Sequence, residues 1–199
     1  MSCEWVVFHS EFVKTLDAAD EAYHQSAYHE TSRPPGDKSA RKWRLKDALV
    51  STNPRLTHSE IVEVCDENSG VAETRPCLSV EDWQNDESIT FYLYDDAVEI
   101  HLPQCLEQST PKVIVREALS YVDLFAREGF RIVFDAWEEV LIDPAKDMSA
   151  LVARYEEALR EIAEEDAKAP PAPTITAKAL TPSGLVDDEP EQKPWWKFW

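Results

Sequence analysis

From Ile89 to Tyr94 apolar residues alternate with polar ones, and they do so again from Val98 to Leu102, with Asp95-Asp96-Ala97 between. A period of two turns one side of each segment toward a core, and Asp is at home in tight reversals, so the pattern predicts a β-hairpin. Phe130–Phe134 and Val140–Ile142, joined by Asp135-Ala136-Trp137-Glu138-Glu139 and closed by Asp143-Pro144, predict a second. Glu4–Phe8 reads as a first strand and Ile61–Val64 as an edge strand, while 66–86 reads as polar and irregular.

Elsewhere the period changes to that of a helix. Phe12, Leu16, Ala19 and Tyr23 recur every three to four residues behind Ser10, predicting one helix that runs to about Tyr28. Arg33-Pro34-Pro35-Gly36-Asp37 breaks the chain, and Leu45, Ala48 and Leu49 mark a short helix ending near Ser51, ahead of Asn53-Pro54. Pro111 suits a first helical turn; Val115, Leu119, Val122 and Ala126 form one stripe, and Gly129 is the stop. Asp147 opens the last helix, with Leu151, Tyr155, Leu159 and Ile162 on one side and mostly Glu on the other. The order predicts an α+β fold: a mainly antiparallel sheet of two hairpins plus the N-terminal strand, with helices packed against it.

Beyond Ala167 the pattern stops. Pro170-Pro171-Ala172-Pro173, Pro182 and Gly184 cannot bury enough apolar surface to offset ordering entropy, which predicts a disordered linker. The expected organisation is an acidic domain over residues 1–167 and a Pro/Ala-rich segment over 168–199 that ends in an aromatic motif, 193–199. That motif carries three of the seven tryptophans. Rings on a loose end suggest docking, so Trp195, Trp196, Lys197, Phe198 and Trp199 are the candidate partner-binding residues. Three readings compete: a linear motif entering a partner's groove, a rest at a membrane interface, and folding back onto the domain. Four rings and two lysines are too little for stable membrane insertion alone.

The 199 residues carry 39 acidic and 20 basic side chains, a net charge of −19. That charge disfavours nucleic acid and anionic membranes and favours a basic partner. The exception is the run Lys38, Arg41, Lys42, Arg44 around Trp43, expected to pair with the chain's own acidic residues, with a nucleic-acid contact as the alternative. Cys3, Cys65, Cys77 and Cys105 form no C-x-x-C pair, and the start lacks a basic, apolar leader, so reduced thiols in a cytoplasmic protein are expected. No segment reaches the ~18 apolar residues of a membrane helix.

No catalytic signature stands out: there is no G-x-S-x-G and no phosphate-binding glycine loop. His24 and His29 are five apart and do not share a helical face. A composite metal or enzyme site from His58, Cys65, Cys77 and His101, with Cys105, is the alternative to a binding role. No cofactor is expected. Oligomeric state is not readable from the sequence.

Residues 1–145 also resemble a loose group of small bacterial α+β proteins of unassigned or immunity-like function. The resemblance rests on Leu45-x-x-x-Leu49-x-x-x-Asn53-Pro54-x-Leu56, on the hairpin with Asp95-Asp96 and Ile100, on Glu128-Gly129-Phe130 and on Phe134-Asp135. Where that group often has an aromatic followed by Asp-Pro-Gln, this chain departs with Phe134-Asp135-Ala136-Trp137. The resemblance implies an antidote that neutralises a toxin by binding it. The resulting expectation is a non-enzymatic, cytoplasmic protein-binding module of the immunity or adaptor kind. Its partner would be a protein that is basic or grooved.

Overall fold

Val6, Val7 and Phe8 are wholly buried, because the strand that carries them lies inside the sheet with neighbours on both edges. A computed structural model describes residues 3–34, 36–60, 62–65 and 72–168. Its strands are β1 (Cys3–His9), β2 (Thr57–Ser59), β3 (Val62–Cys65), β4 (Ala72–Arg75), β5 (Leu78–Glu81), β6 (Thr90–Leu93), β7 (Ala97–Leu102), β8 (Phe130–Asp135) and β9 (Val140–Ile142). Its helices are α1 (Leu16–His24), α2 (Ala27–Thr31), α3 (Arg41–Thr52), α4 (Pro111–Arg127) and α5 (Met148–Lys168). The fold is α+β, as the alternation predicts. Seven strands form one antiparallel sheet in the order β2-β5-β6-β7-β1-β8-β9, and β3 and β4 pair separately.

The two sides of the sheet differ. Trp5, Val7, Leu78, Val80, Phe91, Leu93, Val98 and Ile100 meet Leu45 and Leu49 of α3, Val115, Val122 and Phe125 of α4, and Leu151 and Tyr155 of α5. The opposite side holds a smaller cluster in which Val6, Phe8, Tyr94, Ala97 and Phe134 meet Ala19 and Ala22 of α1 and Tyr28 of α2. α4 follows its stripe, with Pro111 in its first turn.

Three expectations are corrected. The single helix from Ser10 to Tyr28 is two: Thr15 caps α1 by accepting from Ala18 N at 3.3 Å, and Ser26, in the left-handed region at φ 49°, starts α2 in a new direction. The stretch over 66–86 is not all irregular, because it supplies β4 and β5. Ile61–Val64 is not an edge of the main sheet: β3 pairs with β4 instead. The main-sheet edges are β2, which pairs with β5, and β9. Ile61, residues 66–71, the Pro/Ala-rich segment and Trp195, Trp196, Lys197, Phe198 and Trp199 lie outside the described residues.

One pH effect follows from the junction of β1 and α1. His9 is buried, its ring edge-on to Phe130 at 5.1 Å, and its Nδ1 accepts from Glu11 N at 3.3 Å. Burial, with the charge of Arg41 beside it, pushes its pKa below the ordinary value. The folded state therefore binds fewer protons than the unfolded state in mildly acid solution. The contribution is intact above His9's ordinary value near 6.5 and is lost as pH falls through that value toward the lower folded one. Urea unfolding at pH 7.5 and 5.5 should show His9→Asn losing less stability on acidification than the wild type; equal losses would refute it.

Candidate functional site

β7 places its apolar residues Val98, Ile100 and Leu102 on the three-helix side, so Glu99 and His101 point to the other. Antiparallel pairing sets Glu4 of β1 directly opposite His101, and Tyr92 of β6 opposite Glu99. α2, on the same side, adds Tyr28 and His29, and Arg75 arrives from the end of β4. Sequence alternation thus builds a polar cluster inside a sheet face rather than on a solvated one.

Glu99 is the centre, 1% exposed. Its Oε1 accepts from Tyr28 Oη at 2.8 Å, and His29 Nε2 lies 3.4 Å away. Arg75 Nη1 reaches both carboxylate oxygens, at 3.4 and 3.3 Å. Oε2 faces His101 Nε2 at 3.5 Å, and that nitrogen is 3.9 Å from Glu4 Oε2. His101 Nε2 is buried and makes no well-aligned hydrogen bond to either carboxylate. Tyr94, wholly buried, stacks on the His29 ring at 4.6 Å and meets the Tyr28 ring edge-on at 5.0 Å.

Burial opposes the charge on Glu99, but the close approach of His101 and His29 and the charges of His101 and Arg75 outweigh it, holding the carboxyl below its usual range. Glu4 goes the other way. Burial pushes it up to about 7, the charge of Glu99 adds to that, and His101 and Arg75 oppose it. For His101, the close contact with Glu99 and the charge of Glu4 overcome burial and raise the pKa. Two carboxyls with separated proton affinities flank one imidazole, an arrangement able to hold a proton or another cation. A nucleophile is not supplied by the nearby cysteine: burial pushes the Cys77 thiol up to about 12, so it stays protonated.

The residues singled out in the sequence fall differently. His101 is in this cluster. Cys77 is buried on the same side, and the Cys77 thiol and Arg75 both neighbour the Tyr94 hydroxyl. His58 sits on edge strand β2, edge-on to Trp43 at 5.6 Å, and Cys105 is exposed in the loop after β7. Among the described residues His58, Cys77 and Cys105 do not join His101 in a ligand group; its neighbours there are Glu4 and Glu99. The Cys65 side chain lies outside the description. Glu4, Glu99, Arg75, Tyr28 and His29 were not expected from the sequence. The one signal for them is the Glu99-x-His101 spacing within a strand whose other positions are apolar.

The basic run contacts groups of the domain itself, with Lys42 buried and Lys38 and Arg44 exposed. Lys38 Nζ pairs with Glu60 at 2.6 Å and lies 3.2 Å over the Trp43 ring. Arg41 bonds Asp96 Oδ1 and the Asp95 carbonyl, each at 3.2 Å, and Arg44 faces Glu128 at 3.6 Å. Lys42 is fully buried; its Nζ donates to the carbonyls of Arg33 and, at 2.7 Å, Pro76, with Asp95 at 3.9 Å. Asp95 is more than a turn residue, since its Oδ2 also accepts from Arg33 N at 2.8 Å. Lys42→Met keeps the stem and removes the ammonium, leaving two carbonyls without their donor. It should cost about 1–3 kcal/mol in chemical denaturation; an unchanged midpoint would show that the ammonium is dispensable.

The acidic surplus is turned outward. Glu156, Glu157, Glu161, Glu164 and Glu165 of α5 are exposed, and among the described residues none is in an ion pair. No helix among the described residues is long and apolar enough to cross a membrane. Compared with protein-family models, with curated proteins and with solved structures, the chain matches none.

Proposed function

We propose that the chain is a non-enzymatic protein-binding module of the immunity or adaptor kind that takes a basic protein partner. The observation that carries this is the sorting of charge: the cations of the 38–46 segment contact groups of the domain itself, while the carboxylates of α5 face solvent without counter-ions. A surface of one sign steers an oppositely charged protein and raises its association rate. The same sorting disfavours nucleic acid, because Lys38, Arg41, Lys42 and Arg44 have carboxylates or carbonyls as neighbours. Buried, unpaired Cys3 and Cys77 fit a reducing cytoplasm. The aromatic end, Trp195 to Trp199, is a second contact in this reading, giving apolar anchorage that the acidic surface lacks.

The experiment is capture from lysate of the source cells with three baits: the whole chain, a chain ending at Lys168, and the whole chain with Glu156, Glu157, Glu161 and Glu164 each changed to Lys. The expected result is a basic protein retained at about 50 mM salt, weakened at about 500 mM, lost with the lysine bait and reduced with the shortened one. A partner held equally by the lysine bait would refute the charge-based reading. One held equally by the shortened bait would remove the aromatic end from it.

A further inference from the structure

We infer that Glu4, Glu99 and His101 form a binding site for a divalent first-row transition-metal ion. Each residue offers one donor atom, and the three lie within 4.8 Å of one another. With two edges of that triangle at 3.5 and 3.9 Å, an ion at its centre stands roughly 2.1–2.4 Å from each atom, close to the about 2.0–2.2 Å of Zn–N and Zn–O bonds. The donor set, one imidazole nitrogen and two carboxylate oxygens, suits zinc or manganese better than calcium, which takes six to eight oxygens.

The sheet builds this triangle without strain. Glu99 and His101 are two apart on one strand, hence on one face, and Glu4 is the direct cross-strand neighbour of His101. The independent observation is the His101 Nε2 atom itself, buried and aimed between two carboxylates without a well-formed hydrogen bond to either. A buried nitrogen lone pair or N–H is normally satisfied, and an ion in the gap satisfies it.

The surroundings do what outer groups do at metal centres. Tyr28 and His29 engage Oε1 of Glu99 and fix the carboxylate, while Oε2, which faces the gap, also lies 3.3 Å from Arg75 Nη1. Arg75 offsets one carboxylate charge, so the set retains one net negative charge and moderate affinity is expected. Of the three, His101 also borders an open cleft of about 290 Å³ with Thr90, Ser88 and Gln104. Three ligands leave further coordination positions for water.

The test is calorimetric titration of the whole chain with Zn²⁺ and with Mn²⁺, together with Co²⁺ absorption as a signature of the ligand field. Wild type should bind one ion saturably and melt higher with it. Glu4→Gln, which keeps the shape of a partly exposed side chain, should weaken binding at least tenfold, and His101→Ala should abolish it. His24→Ala, in the exposed group Asp20–His24–Glu139, should bind as wild type does. Should His101→Ala fail to fold, Glu4→Gln decides. No saturable binding of either ion by wild type, or undiminished binding by Glu4→Gln, overturns the site.

Discussion

Replacing Glu99 by alanine lowers the stability of the domain by about 3–5 kcal/mol, the usual cost of removing one member of a buried ionic pair. For a domain of this size that is a fall of roughly 6–20 °C in melting temperature. The size of the effect comes from what is left behind. The Arg75 guanidinium loses its carboxylate, the Tyr28 hydroxyl its acceptor, and two imidazoles their common neighbour, all on a sheet face where water has little access. Glu99→Gln separates the contributions: an amide oxygen still accepts from Tyr28, while the charge opposite Arg75 is gone, so it should fall between alanine and wild type. Denaturant melts of the two variants measure this. A loss under about 1 kcal/mol for alanine would mean that the cluster relaxes or hydrates without resistance, contrary to its burial.

Gly129→Val is expected to cost about 2–5 kcal/mol. The position has φ +95°, where a side chain is strained by about 1–2 kcal/mol, and an added Cβ falls 2.4 Å from Nε2 of the buried His9 ring. His9 cannot withdraw easily, since it packs on Phe130. Nor can the backbone shift freely: the Gly129 carbonyl accepts from Ser10 N at 3.0 Å, and its own N–H returns to Ala126 O at 3.3 Å, closing α4. Thermal melts of Gly129→Ala and Gly129→Val should show both destabilised, valine more. If His9→Gly restores part of the loss, the clash is with that ring; if it does not, the backbone angle is the larger cost.

Periodic apolar segments were legible in the sequence. The Ile89–Leu102 hairpin, the Pro111 helix with its Gly129 stop and the Phe130–Ile142 hairpin all show in the alternation, because each buries one side against a large core. β5 escaped notice because Leu78-Ser79-Val80-Glu81 is four residues inside polar surroundings, and its assignment depends on pairing with β6. The break between α1 and α2 escaped because Tyr28 continues the helical spacing, yet its hydroxyl is drawn to Glu99, 71 residues away. For the site, alternation was informative about position and silent about environment. It sets Glu99 and His101 on the face of β7 opposite Val98 and Ile100, but alternation does not say whether that face is covered. Burial there requires Arg75, Tyr28 and His29, which come from two separate stretches of chain, β4 and α2. Lys42 shows the same limit: self-pairing of the basic run could be expected, but not that Asp95 and two carbonyls would draw this one lysine fully inside.

The interior place of β1 bears on how the chain is made. Its two neighbours are β7, whose pairings run from Cys3↔Leu102 to Phe8↔Ala97, and β8, beyond α4. Synthesised before both of its partners, Trp5-Val6-Val7-Phe8 therefore waits for most of the domain before either edge can be covered. Pairings at such separations are slow to close, because the loop entropy must be overcome before contacts form. During that interval an apolar strand with two bare edges is the part of the nascent chain most prone to associate with another copy, or to be held by a chaperone.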